Sequence, residues 1–170
     1  GYAFPGNIEV AGVATGAGSF VVAGSFRTLP DALGFRRLVG AAWTSVDGRT
    51  WDRIVMPSDP AIGDFRLTYI TFAGSHFVAL GRSSDTVAHP AMLVWTSTDG
   101  REWRRGQDIP VGRDGSVADV ALGPAGALVA VGWTTATPAH AAAFTSPDGL
   151  RWTPVPDGPT LEGAVMRALS

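Results

Sequence analysis

The chain has 170 residues, 45% of them hydrophobic, enough to build a sizeable core. It carries no cysteine, which excludes disulfides and thiol chemistry. Its formal net charge is -2, its 13 basic residues are all arginine, and they form no basic run, so nucleic acid is not an expected partner.

Abundant glycine (22) and proline (12) favour short strands joined by turns. Residues 1–6 are turn-like and read as the tail of a preceding unit. Residues 8–14 alternate weakly and predict a first strand, residues 16–19 a turn, and residues 20–24 a short buried strand. After a long connection over residues 25–35, residues 38–44 predict a third strand and residues 51–56 a fourth, ended by Pro57.

The plan then repeats. The second unit has strands at residues 66–72, 77–81 and 91–96, with a fourth starting at residues 103–105. The third has strands at residues 116–122, 128–132, 141–145 and 152–155. Two charge-free stretches, residues 10–26 and 120–147, resemble membrane segments in hydropathy. The second contains Gly123-Pro124 and Pro138, and both align with the charged middle unit, so they read as strands and no membrane span is expected.

A nine-residue motif anchors each unit between its third and fourth strands. It reads Trp43-Thr44-Ser45-Val46-Asp47-Gly48-Arg49-Thr50-Trp51, then Trp95-Thr96-Ser97-Thr98-Asp99-Gly100-Arg101-Glu102-Trp103, then Phe144-Thr145-Ser146-Pro147-Asp148-Gly149-Leu150-Arg151-Trp152. The steps, from 43 to 95 to 144, are 52 and 49 residues, a period that points to a propeller, a solenoid or another array. Asp-Gly between apolar runs signals a tight hairpin with positive φ. The Ser hydroxyl and Asp carboxylate suit free backbone N–H groups in the turn, and the closing Trp suits burial over it. Three equal copies fit a repeated structural element better than a catalytic or metal pair.

A second anchor is the strand Phe/Leu-Val-x-x-Gly, whose glycines Gly24, Gly81 and Gly132 lie 21, 16 and 14 positions before the motif serine. Length variation therefore falls in the second-to-third connection, which is expected at the surface. Four short strands per unit predict an all-β partial β-propeller. It comprises three four-stranded antiparallel blades (residues 7–58, 64–109 and 114–158) plus the first strand of a fourth (residues 160–170). A β-sandwich is the alternative fold, but it does not require a repeated motif.

The motif resembles the Asp-box, or bacterial neuraminidase repeat, of sialidase-like β-propellers, here in a variant lacking the residue between Asp and Gly. The resemblance implies a structural role for Ser45, Asp47, Gly48 and Trp51, for Ser97, Asp99, Gly100 and Trp103, and for Ser146, Asp148, Gly149 and Trp152. It also implies a secreted or cell-surface location. Sialidases use three arginines, a Tyr-Glu nucleophile pair and an Asp acid/base. Arg66, Arg113 and Arg167 lie at or near first strands, but neither Tyr2 nor Tyr69 has a Glu partner by spacing.

First strands line a propeller's channel, and alignment places Tyr69, Asp119 and Arg167 at equivalent positions, with Gly12 matching in the first unit. These three are the candidate ligand-binding residues. His76, His89 and His140 are scattered without metal-ligand spacing, and no phosphate loop or nucleophile elbow occurs, so neither metal nor cofactor is expected. The leading expectation is a non-catalytic propeller segment that binds a protein or carbohydrate. The alternative is part of a sialidase-like glycoside hydrolase, and a scaffold for a protein complex is a third reading. The outer faces of units one and three, with positions such as Val13, Val21, Val129 and Val131, are expected to meet further blades of a longer chain or a second copy.

Overall fold

The computed structural model describes residues 8–123, 126–135 and 140–156. They form three four-stranded antiparallel sheets, each a meander in chain order. The first contains β1 (Ile8–Gly16), β2 (Ser19–Arg27), β3 (Leu38–Ser45) and β4 (Asp52–Val55). The second contains β5 (Phe65–Ala73), β6 (His76–Ser83), β7 (Leu93–Ser97) and β8 (Arg104–Arg105). The third contains β9 (Ser116–Leu122), β10 (Leu128–Thr134), β11 (His140–Ser146) and β12 (Thr153–Pro154). The architecture is the expected all-β one, three sheets of a partial propeller. Residues 160–170, expected to begin a further blade, and the turn at residues 1–6 lie outside the described residues. No helix among the described residues is long and apolar enough to cross a membrane.

The sheets stack face to face because alternate residues on each strand point to opposite sides. The second sheet turns a leading face toward the first unit and a trailing face toward the third, and the equivalent faces of the other two sheets are named alike. Val21, Ala23 and Ala42 on the trailing face of the first sheet pack with Phe77, Ala79, Leu93, Trp95 and Trp103 on the leading face of the second. Val78, Leu80 and Val94 on the trailing side of the second pack with Leu128, Ala130, Phe144 and Trp152 of the third. Both junctions are continuous apolar cores, and both use the same strand positions. Among the residues expected on outer faces, Val13 is exposed and Val129 and Val131 are half-buried. Val21 departs from that expectation. It points from β2 toward the second sheet and is fully buried.

The repeated motif forms the connection between third and fourth strands in all three units, with nearly the same hydrogen bonds each time. Ser45 Oγ accepts from the Gly48 N–H at 2.9 Å, and the equivalent bonds at Ser97 and Ser146 are both 2.8 Å. The serine hydroxyl donates to the aspartate Oδ1, which also accepts two backbone N–H groups beyond the glycine. The tryptophan Nε1 donates back to the glycine carbonyl at 3.2, 3.2 and 3.0 Å. Only the glycine takes positive φ, at 70°, 74° and 72°. The turn is therefore wider than a two-residue Asp-Gly hairpin. Six residues separate β3 from β4, and the fourth strand starts one residue after each tryptophan rather than at it.

Candidate functional site

The first strands β1, β5 and β9 share an irregularity. Pairing with the second strand skips one residue between Val10 and Gly12, between Leu67 and Tyr69, and between Val117 and Asp119. Each skip is a β-bulge, and opposite it stands the recurring glycine: Gly24 pairs with Val10, Gly81 with Leu67 and Gly132 with Val117. A Cβ on these glycines would lie 2.2 Å from the Glu9 carbonyl oxygen, 2.5 Å from that of Arg66 and 2.0 Å from that of Ser116. The bulge drives a carbonyl onto the facing strand, and only glycine leaves room for it.

The bulge fixes which residues share a level. Gly12, Tyr69 and Asp119 occupy one level, and Glu9, Arg66 and Ser116 occupy another three residues earlier. Tyr69 and Asp119 are also in contact. The Tyr69 phenol donates to Asp119 Oδ1 and accepts the Val120 N–H at 3.2 Å, while Asp119 Oδ1 accepts the same N–H at 2.8 Å. The pair thus ties the first strand of unit two to the bulge of unit three. Burial, and secondly the hydrogen bond to the Asp119 carboxylate, push the Tyr69 phenol above its ordinary value. It is a neutral hydrogen-bonding group at physiological pH. Arg167, the third candidate, lies outside the described residues.

Beside this level a cleft of about 280 Å³ opens between β1 and β5, lined by Glu9, Val10, Ala11, Arg66, Leu67 and Thr68. Glu9, Arg66 and Thr68 are exposed there, so the cleft offers a carboxylate, a guanidinium and a hydroxyl. Arg113 lies in the loop before β9, with its carbonyl accepting from Arg82 at 2.8 Å. Among the histidines, a His89 ring nitrogen sits 2.9 Å from the Ala61 carbonyl and one of His76 sits 3.0 Å from Ser75 Oγ. No group of three or more His, Cys, Asp or Glu among the described residues is placed to hold a metal ion.

Two residues that sequence reasoning did not single out join the units at this end. Both follow the recurring glycine. Ser25 Oγ is buried and accepts the Leu67 N–H of the next unit at 3.1 Å. The Arg82 guanidinium reaches the carbonyls of Arg113 and Gly115 in the loop leading to β9. A polar residue inside an otherwise apolar strand was the available signal.

With this geometry, the chain is similar to several solved propellers. It superimposes on a glycosyl hydrolase from Bacteroides ovatus with a TM-score of 0.53 and 17% identity, over 94% of this chain and 50% of that one. A structure described under the GH130 family of mannoside phosphorylases, which contains glycoside hydrolases that target β-1,2 mannosidic linkages in Candida mannan, matches with a TM-score of 0.51 and 16% identity, over 94% of this chain and 50% of that one. Zg3597, a family 117 glycoside hydrolase from Zobellia galactanivorans, matches with a TM-score of 0.56 and 13% identity, over 92% and 58%. No protein-family model matches the chain, and no curated protein matches it by sequence. At these identities the likeness establishes the fold, and the chain spans about half the length of these propellers.

Proposed function

We propose that the chain is a carbohydrate-binding part of a propeller of the glycoside-hydrolase type, with saccharide held at the bulged end of the first strands. The observation that carries this reading is the pair of levels set by the bulges. Glu9, Arg66 and Ser116 stand on one, the linked Tyr69 and Asp119 on the other, beside an open cleft. Sugar hydroxyls both donate and accept, so a mixed set of carboxylate, guanidinium, hydroxyl and phenol suits them. Likeness to proteins described as glycosyl hydrolases, with one under a mannoside phosphorylase family, supports a saccharide over a protein ligand. Catalysis of glycoside cleavage is the second reading, favoured by the same likenesses.

Calorimetric titration with neutral and acidic mono- and oligosaccharides, mannosides and sialosides among them, tests the proposal. The expected result is binding that weakens at least about tenfold in Arg66→Ala and Asp119→Asn, the loss of one buried polar contact or more. No turnover of a fluorogenic sialoside is expected, since neither tyrosine has a glutamate partner by spacing. Failure of every sugar to bind the folded chain defeats the proposal. Glycoside turnover abolished by Tyr69→Phe establishes the catalytic reading instead.

A further inference from the structure

We infer that the chain holds a free α-amino acid in a second site, between the motif turns of the second and third sheets, at the end of the strands opposite the bulges. The site lies where a repeated contact has changed. At each junction the motif turn of the later sheet presses on the valine and threonine of the earlier one. A Cβ on Gly100 would lie 2.4 Å from Val21 Cγ2, and one on Gly149 would lie 2.7 Å from Thr96 Cγ2. Beside this shared contact the two junctions differ. At the first, Arg101, just after its motif glycine, meets Asp52, just after the tryptophan of the earlier motif, at 3.0 Å. At the second, the same two positions hold Leu150 and Arg104. The ion pair is gone, and a cation stands where the aspartate did, with leucine in place of its partner.

A pocket of about 330 Å³ lies at this second junction. Glu102 and Arg104 line it from the second unit, Asp148 and Leu150 from the third, together with Thr98 and His76. Its volume falls at the small end of the range for small-molecule sites, about 300–1,000 Å³. The charged groups in it are free to take a ligand. The side chains of Glu102 and Arg104 make no ion pair or hydrogen bond among the described residues. Asp148 Oδ1 accepts the Ser146 hydroxyl and the N–H groups of Leu150 and Arg151, which leaves Oδ2 open.

One guanidinium and two carboxylates thus share the pocket without satisfying one another. A ligand carboxylate suits Arg104, whose fork of N–H groups can bind both of its oxygens. That ligand is repelled by Glu102 and Asp148 unless it also carries a positive group. A purely cationic ligand is repelled by Arg104 in turn, and a neutral polyol leaves all three charges unmatched. An α-amino acid carries an ammonium and a carboxylate on one carbon and answers both signs. Its remaining substituent falls to Leu150, Thr98 and His76. This site is separate from the saccharide cleft between β1 and β5.

Amide NMR spectra of the 170-residue chain test the inference. They are recorded during titration with each of the common L-amino acids, with propionate and ethylamine as one-charge fragments, and with mannose. Saturable shifts centred on Thr98, Glu102 and Leu150 are expected with at least one amino acid. Propionate and ethylamine should bind at least about tenfold more weakly. Arg104→Ala and Glu102→Gln should each weaken binding about five- to tenfold, as expected for charged contacts near the surface. Arg104→Asp combined with Leu150→Arg reinstates the ion pair of the first junction. That double variant should lose binding while keeping its far-ultraviolet circular dichroism. Absence of shifts with every amino acid overturns the inference. So does propionate binding as well as the amino acids, which would make this a plain anion site. Mannose shifting the same residues more strongly, or a double variant that binds like the wild type, overturns it as well.

Discussion

At the scale of single residues, the motif is a self-contained hydrogen-bonding unit. Asp99 Oδ1 accepts the N–H groups of Arg101 and Glu102 and the Ser97 hydroxyl. Asp99→Ala should lower stability by roughly 1–3 kcal/mol, read from denaturant midpoints. Trp103 is buried between the first and second sheets, so Trp103→Ala should cost more, about 3–5 kcal/mol. Trp51 is half-exposed, and Trp51→Ala should cost less than either tryptophan change at a filled junction. The same bonds set a pH response. The backbone N–H groups of Thr50 and Arg49, then the Ser45 hydroxyl, hold the Asp47 carboxyl down at about 2 against an ordinary 3.8. Asp99 and Asp148 are also lowered: burial opposes this, and the hydrogen bonds from backbone N–H groups and the motif serine together outweigh it. A carboxyl depressed in the folded state leaves the unfolded chain binding more protons as acid is added. The stabilisation is whole above about pH 4 and drains away as pH falls toward about 2. Urea midpoints should fall across that window, and Asp47→Asn should flatten part of the fall. This chemistry was legible in the sequence because every partner lies within a few residues of the others. The turn's width was not, since Asp-Gly also fits a tighter hairpin and only the backbone of Asp47 distinguishes them.

At the scale of the strand, the bulge and its glycine act together. Gly81→Ala would drive a Cβ to 2.5 Å from the Arg66 carbonyl oxygen, with the Trp95 ring at 3.0 Å, so neither side has room to give. It should destabilise by about 1–3 kcal/mol, the usual range for overpacking, and Gly24→Ala and Gly132→Ala should behave alike. Chemical denaturation checks all three, and a neutral result would show that the bulge can move along the strand. The sequence displayed the glycine three times, yet the reason for it lies on a different strand, about fifteen residues earlier, and only pairing reveals it. The same holds for Tyr69 and Asp119. Alignment put them at one level, but their contact spans 50 residues and depends on how two sheets lean together. Ser25 and Arg82 escaped notice for that reason too, since their partners are backbone groups of the next unit, which carry no sequence signature.

At the scale of the whole molecule, the sheets are directional: valines and threonine trail, aromatic residues and the motif turn lead. Period-two alternation made two faces visible in the sequence but not which way each faced, and so Val21 was expected at the outside. Its burial follows from the direction of stacking. This directionality bears on how such a chain is built and copied in a gene. A unit that ends in a trailing face accepts any unit that begins with a leading one. A coding segment of about 50 residues, the period of the motif, can therefore be duplicated or lost in frame without creating a new kind of surface. A chain carrying unit two twice should fold as the present one does, lengthened by one sheet. Insertion of half a unit should not, because it would set two like faces against each other.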